Sequence, residues 1–177
     1  EIATHQADVP VLAKVSANWP NLIQVVGDCL RAGAAGITAI DSLGPALQID
    51  VETGRPTLAG RYGFAWLSGA AIKPIALHAV ADIRLHFDIP GSGVGGVSRG
   101  RDALEMLMAG ATAVGVHTAP LLQGVKWFGK TIRELDAFLD SHHYASAREI
   151  VGRTLPFLRD QETGGPLDLA FDAARCT

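Results

Sequence analysis

Apolar and polar positions along this chain switch repeatedly between a strand-like and a helix-like period. Residues 10–16, PVLAKVS, form a short apolar run with β-branched members, closed by Asn18, Trp19 and Pro20, which is the pattern of a strand. The period then lengthens. Leu22, Val25, Val26, Cys29 and Leu30 share one face of a helix, and Gly33 follows as its C-terminal stop. Residues 36–42, GITAIDS, predict a second buried strand, and residues 43–62 have the Pro, Gly and alternating polar positions of a loop or hairpin excursion. Helical spacing runs from Ser68 to Phe87, with Pro74 in the first turn or at a kink. A third strand is predicted around residues 88–96, then a helix with Leu104, Leu107 and Met108 as its apolar stripe, then a fourth strand at 112–118. Two helices are expected after that, at 121–143 and 146–155, and residues 156–177 read as a tail. The first residues look like the end of a helix that leads into the first strand.

Four strand-helix units of this kind imply a parallel sheet with helices outside it. Two architectures compete, an open doubly wound sheet and part of an eightfold (β/α) barrel, a fold that typically needs about 250 residues. The length of 177 residues favours the open sheet; the motifs favour the barrel. Composition narrows the function classes. With 48% hydrophobic residues the chain can bury one sizeable core, and 15 basic against 18 acidic residues, spread throughout, offer no basic stripe for nucleic acid. Cys29 and Cys176 lie far apart in no metal-spaced cluster, so no metal is expected, and a reducing, cytoplasmic setting is. No apolar run reaches the roughly 18 residues of a membrane span. The opening EIATHQADVP is neither a signal peptide nor an initiator methionine, which suggests a missing upstream segment.

Residues 90–100, PGSGVGGVSRG, place Gly91, Gly93 and Gly96 at the spacing of a dinucleotide-binding turn. That turn also needs an acidic residue about 20 positions on for the ribose, and no Asp or Glu occurs between Met106 and Arg133. The glycines can still let backbone N–H groups approach a phosphate, with help from a helix N-terminus, or form an ordinary tight turn. Thr118 ends the next strand; in a barrel the loops after strands seven and eight often share one phosphate, which would join Gly95, Gly96 and Thr118. Lys14 stands in an otherwise apolar strand, either facing a bound anion or electron-rich ring, or snorkelling from an exposed position. Asn18 can bind a substrate or cap the next helix. Asp41 and Ser42 end the second strand, at the rim or as the cap of a short turn.

The blocks KVSAN, TAIDS, WLSGAAIKPIAL, IPGSGVGGVSRGRDALEMLMAGATAV and VHTA, in this order, resemble the C-terminal half of the dihydroorotate dehydrogenase family and the related flavin domain of dihydropyrimidine dehydrogenase. The resemblance implies an α/β fold, a (β/α)8 TIM barrel to which residues 1–155 contribute about strands five to eight. It implies FMN, with Lys14 at the N1/O2 edge of the flavin, Ser68 and Gly69 in a backbone contact, and Gly95, Gly96, His117 and Thr118 around the phosphate. Asn18, Asp41 and Ser42 fall on the substrate side. The family departs from this sequence at three places: Asp41 stands for its usual Asn, His117 for a Gly, and Ala65 and Trp66 for a glycine pair. A carboxylate at 41 would repel an anion and remove an amide donor, so orotate itself is not the expected substrate, and Trp66 is expected to narrow or cover the flavin site. The implied reaction is hydride transfer between a small cyclic or enone-like molecule and flavin N5. The family's general base would precede residue 1, so no catalytic base is assigned. A second chain or a cleaved N-terminal half is expected to complete the barrel as an oligomer, with an electron-transfer subunit as a further partner. Two other readings are a barrel subunit that has lost flavin and a barrel enzyme that binds a sugar phosphate.

Overall fold

The computed structural model describes residues 2–160. The expected tail lies outside them, except that a short helix occupies Leu155–Asp160. A one-turn helix, α1 (Ile2–Gln6), leads into β1 (Leu12–Val15), α2 (Leu22–Arg31) and β2 (Gly36–Ala39). An antiparallel excursion follows: β3 (Leu43–Leu47), β4 (Ile49–Asp50), β5 (Arg55–Pro56) and β6 (Phe64–Leu67), with β3 paired to β6 and β4 to β5. The chain then returns through α3 (Lys73–His86), β7 (Gly91–Val94), α4 (Gly100–Met108), β8 (Ala113–Gly115), α5 (Thr118–Gln123), α6 (Lys126–Ser141) and α7 (Leu155–Asp160).

The main sheet has four parallel strands in the order β1-β2-β7-β8. This sequential order is that of a (β/α) barrel; a doubly wound sheet reverses direction at a switch point. Because side chains alternate along a strand, the register sorts the strands into two faces. Val15, Ala39, Gly93 and Val114 share one row, and Val15, Ile37 and Ala39 are buried in the core beneath the helices. Lys14, Thr38, Ser92 and Ala113 share the opposite row, and there Lys14 and Ala113 are exposed. That face is the one a closed barrel fills with layers of side chains.

Each helix follows from its apolar stripe. In α3, Ala76, Ala79, Val80 and Ile83 are buried at i, i+3, i+4 and i+7, and Pro74 sits in the first turn, where a missing N–H costs nothing. In α2, Val26 is buried and Leu22, Val25, Cys29 and Leu30 pack on the same core, with Gly33 at φ +93 beyond its end. Three expectations are corrected. The excursion extends past residue 62 to Leu67, because the apolar β6 pairs back on β3. The helix expected at 121–143 is two helices broken at Gly124, whose φ of +79 departs from helical geometry. Residues 146–155 hold one 3-10 turn, Ala147–Ile150, before α7 begins at Leu155. Among the described residues no helix is long and apolar enough to cross a membrane.

Candidate cofactor and substrate cleft

The C-terminal ends of the four parallel strands open onto one cleft of about 220 Å³. Lys14 reaches it from β1, Asp41 and Ser42 from the loop after β2, Ser68 and Gly69 from the turn after β6, Gly95 and Gly96 from the loop after β7, and His117 and Thr118 from the loop after β8. Ile40, Ile72, Val94, Val97 and Val116 line it with apolar surface. The rim therefore gathers every residue assigned to cofactor or substrate from sequence except Asn18.

The glycine loop is shaped by close contact with α3. Gly95 and Gly96 hold φ of +128 and +77, and a Cβ on Gly96 would stand 2.5 Å from Lys73 Cβ and 2.7 Å from its Cα and N. Only glycine fits so near another backbone. At the far side of the cleft, the hydroxyls of Ser68 and Thr118 lie 3.1 Å apart, joining the turn after β6 to the start of α5. Lys14 is exposed, and among the described residues it makes no hydrogen bond or ion pair. An unpaired cation at a cleft mouth suits an anionic ligand or an electron-rich ring.

Two expectations about the glycine loop and its surroundings change. Three amides at the N-terminal end of α4 are already engaged: Asp102 Oδ2 accepts from the Ser98 and Arg99 amides at 2.9 and 3.2 Å, and Glu134 Oε2 accepts from Gly100 N at 2.6 Å. Any phosphate is left to the amides and side chains of the rim. Trp66 neither narrows nor covers the cleft. Its indole is 59% exposed on β6 and packs over Gly44, where a Cβ would meet it at 3.1 Å.

Asn18 caps no helix, since Asn21 takes the N-cap position of α2. Its amide instead donates to Ser16 Oγ and to Ser42 O, both at 2.9 Å, while Gly44 N donates to its Oδ1 at 3.1 Å. Ser16 in turn donates to Asp41 Oδ1 at 2.7 Å. Asn18 thus fastens the start of the excursion to the end of β1. Asn18→Ala is expected to lower stability by about 1–2 kcal/mol, as for the loss of a few partly exposed hydrogen bonds, measured by urea denaturation.

Sequence reasoning missed a network beneath the rim. Lys73 Nζ lies 2.6 Å from Asp102 Oδ1 and 2.7 Å from Glu105 Oε2, and Trp127 Nε1 donates to Ser98 O at 2.7 Å. An acidic residue three positions into α4 and a lysine opening an apolar helix were its only signals. Burial pushes the Asp102 carboxyl up, but the Lys73 hydrogen bond, the Ser98 amide and the charges of Lys73 and Arg99 outweigh it, leaving the group below its ordinary 3.8. Hydrogen bonds that Lys73 donates to Asp102 and Glu105 hold its amine above its ordinary 10.5. The depressed carboxyl stabilises the fold above its unfolded value and loses that contribution as pH falls through its folded one. For the raised amine, the contribution is whole below its unfolded value and disappears as pH rises through the folded one. Both are intact between about pH 5 and 10. Wild type should therefore lose stability faster than Asp102→Asn as pH drops below about 4, in urea titrations across pH.

Four parallel strands ordered in the sheet as they occur in the chain, helices on one face and a glycine-bearing rim at the strands' C-terminal ends define a (β/α)-barrel protein, of which these residues form one part. The chain belongs to the dihydroorotate dehydrogenase family. The family model described as dihydroorotate dehydrogenase matches residues 1–139. The chain is also similar to the catalytic subunits of dihydroorotate dehydrogenase B (NAD(+)) of Methanothermobacter thermautotrophicus, at 42% identity over 82% of this chain and 47% of that protein. It resembles those of Pyrococcus abyssi, at 37% over 84% and 48%, and Methanopyrus kandleri, at 39% over 91% and 50%. It spans about half the length of these relatives.

Proposed function

We propose that this chain is the C-terminal half of an FMN-dependent dehydrogenase that oxidises or forms a CH–CH bond in a small cyclic substrate, dihydroorotate being the substrate that its relatives' names support. The observation that carries the reading is the convergence of Lys14, Ser68, Gly69, Gly95, Gly96, His117 and Thr118 on one cleft. The donor set suits FMN. The positive φ of Gly95 and Gly96 suits a loop that turns its amides toward a phosphate, two rim hydroxyls add neutral donors, and Lys14 supplies a free cation. Bound flavin would supply the hydride chemistry that no side chain of this chain can.

The residues then divide the work. Gly95, Gly96, His117 and Thr118 hold the phosphate; Lys14 places positive charge where the reduced ring gathers negative charge; the apolar lining excludes water. Asp41 and Ser42 face the substrate, and Asn18 acts through the loop that carries Ser42. The charge on Asp41 argued against orotate, yet the relatives give that argument no support, and the Ser16 hydroxyl already occupies one of its oxygens. The catalytic base is assigned to the part of the barrel beyond these residues. That part also supplies strands for the free sides of β1 and β8, and a second, electron-transferring subunit accepts the electrons. A cytoplasmic setting accompanies this reading.

Absorbance of the purified full-length protein tests it. Flavin bands that bleach on anaerobic addition of dihydroorotate are the expected result. A colourless protein that FMN cannot reconstitute overturns the reading.

A further inference from the structure

We infer that Lys73 and Asp102 are positioning residues for the cofactor phosphate: their ion pair holds the loop after β7 in the shape that grips it. The inference rests on the FMN reading above. Neither side chain lines the cleft. Lys73 opens α3 directly after Ile72, and its amine crosses to Asp102 Oδ1 at 2.6 Å. The other Asp102 oxygen accepts from the amides of Ser98 and Arg99. The downstream end of the loop is thereby tied to α3, while its upstream end rests on the Lys73 backbone at Gly96. One lysine is the seat for both ends.

The physical need for such a brace follows from the loop's composition. Two successive glycines have no side chains with which to pack and many conformations to lose, so amides that must converge on an anion have to be aimed from outside. Asp102 is only 4% exposed. A buried carboxylate held by Lys73 at 2.6 Å, by the more distant Arg99 at 3.8 Å and by two amide donors is a stiff joint, because releasing the close partners leaves a charge poorly solvated. Glu105 provides an internal contrast. It pairs with Lys73 at 2.7 Å but holds none of the loop's amides among the described residues.

The test compares two ligands on the full-length apoprotein: FMN, and riboflavin, which carries the same ring without the phosphate. Titration followed by flavin fluorescence gives both affinities for wild type, Asp102→Asn, Lys73→Met and Glu105→Gln. Asp102→Asn and Lys73→Met are expected to weaken FMN about tenfold or more and riboflavin less than about twofold, with Glu105→Gln near wild type for both. A general loosening of the fold would weaken the two ligands alike, so the ratio of affinities separates positioning from mere support. Equal losses for both ligands, or none for FMN, overturn the inference. Wild type that binds neither ligand overturns the FMN reading and this one with it. Should Asp102→Asn fail to fold, Lys73→Met decides, its side chain being 22% exposed.

Discussion

Gly96→Ala should destabilise the protein and empty it of flavin together. The new methyl would stand 2.5 Å from Lys73 Cβ and 2.7 Å from Lys73 backbone atoms, at a φ of +77. Backbone strain and overpacking each cost on the order of 1–3 kcal/mol. The backbone of α3 cannot swing aside, because Ala76 and Ala79, one and two turns on, are buried in the core. Relief has to come from the loop, which moves away from Lys73 and carries the neighbouring amides out of register with the phosphate. Urea denaturation and the flavin-to-protein absorbance ratio of the full-length protein measure the two effects. Gly124→Ala is the matched control: φ there is +79, with nothing within 4 Å of the added Cβ. It should show only the backbone strain and retain full flavin. Gly96→Ala with a wild-type midpoint and full flavin content would show that the loop is not the cradle.

Lys14→Met should separate chemistry from binding. Lys14 is exposed and makes no ion pair or hydrogen bond among the described residues, so its removal should change stability by less than about 0.5 kcal/mol. The glycine loop, on the other side of the sheet's midline at β7, should keep the cofactor in place. On the proposed reading, what disappears is the positive charge beside the ring. A lost preorganised electrostatic contact at a site of developing charge typically costs about 10²-fold in rate. Anaerobic stopped-flow reduction should therefore slow by about that factor while the flavin stays bound. Reduction at the wild-type rate would remove Lys14 from the site, and loss of flavin would make it a binding residue.

The alternation of periods marked the four strand-helix units because burial of one face sets a period of two or of 3.6 wherever an element packs on a core. Ile37 and Ala39, and Ala76 with Ala79 and Val80, carry that signal, and they are buried where it requires. Breaks without such a signal were harder to read. Gly124 divides a run of helix-forming residues, and β6 is paired to β3 by hydrogen bonds that leave Trp66 and Phe64 largely outside. Among the residues that line the cleft, Lys14 and the glycine pair stood out because an amine in an apolar strand and adjacent glycines at a strand end are uncommon, whereas Thr118 stood out only through its pairing with those glycines. Lys73 and Asp102 were not. Each is an ordinary residue of a helix's first turn, and only their approach across 29 positions makes them a pair.

By itself, the sequence determined the class of the fold and the chemistry on offer at each strand end, since both depend on residue type and local spacing, and its resemblance to known blocks pointed to the family. The tertiary structure decided which of those groups share a cleft, and it took Trp66 away from that cleft and turned Asn18 into a fastening for its rim. It also showed that the amides of Ser98, Arg99 and Gly100, at the start of α4, are already taken by Asp102 and Glu134. Those outcomes depend on the register of four parallel strands and on hydrogen bonds between residues distant in sequence, which local spacing does not encode.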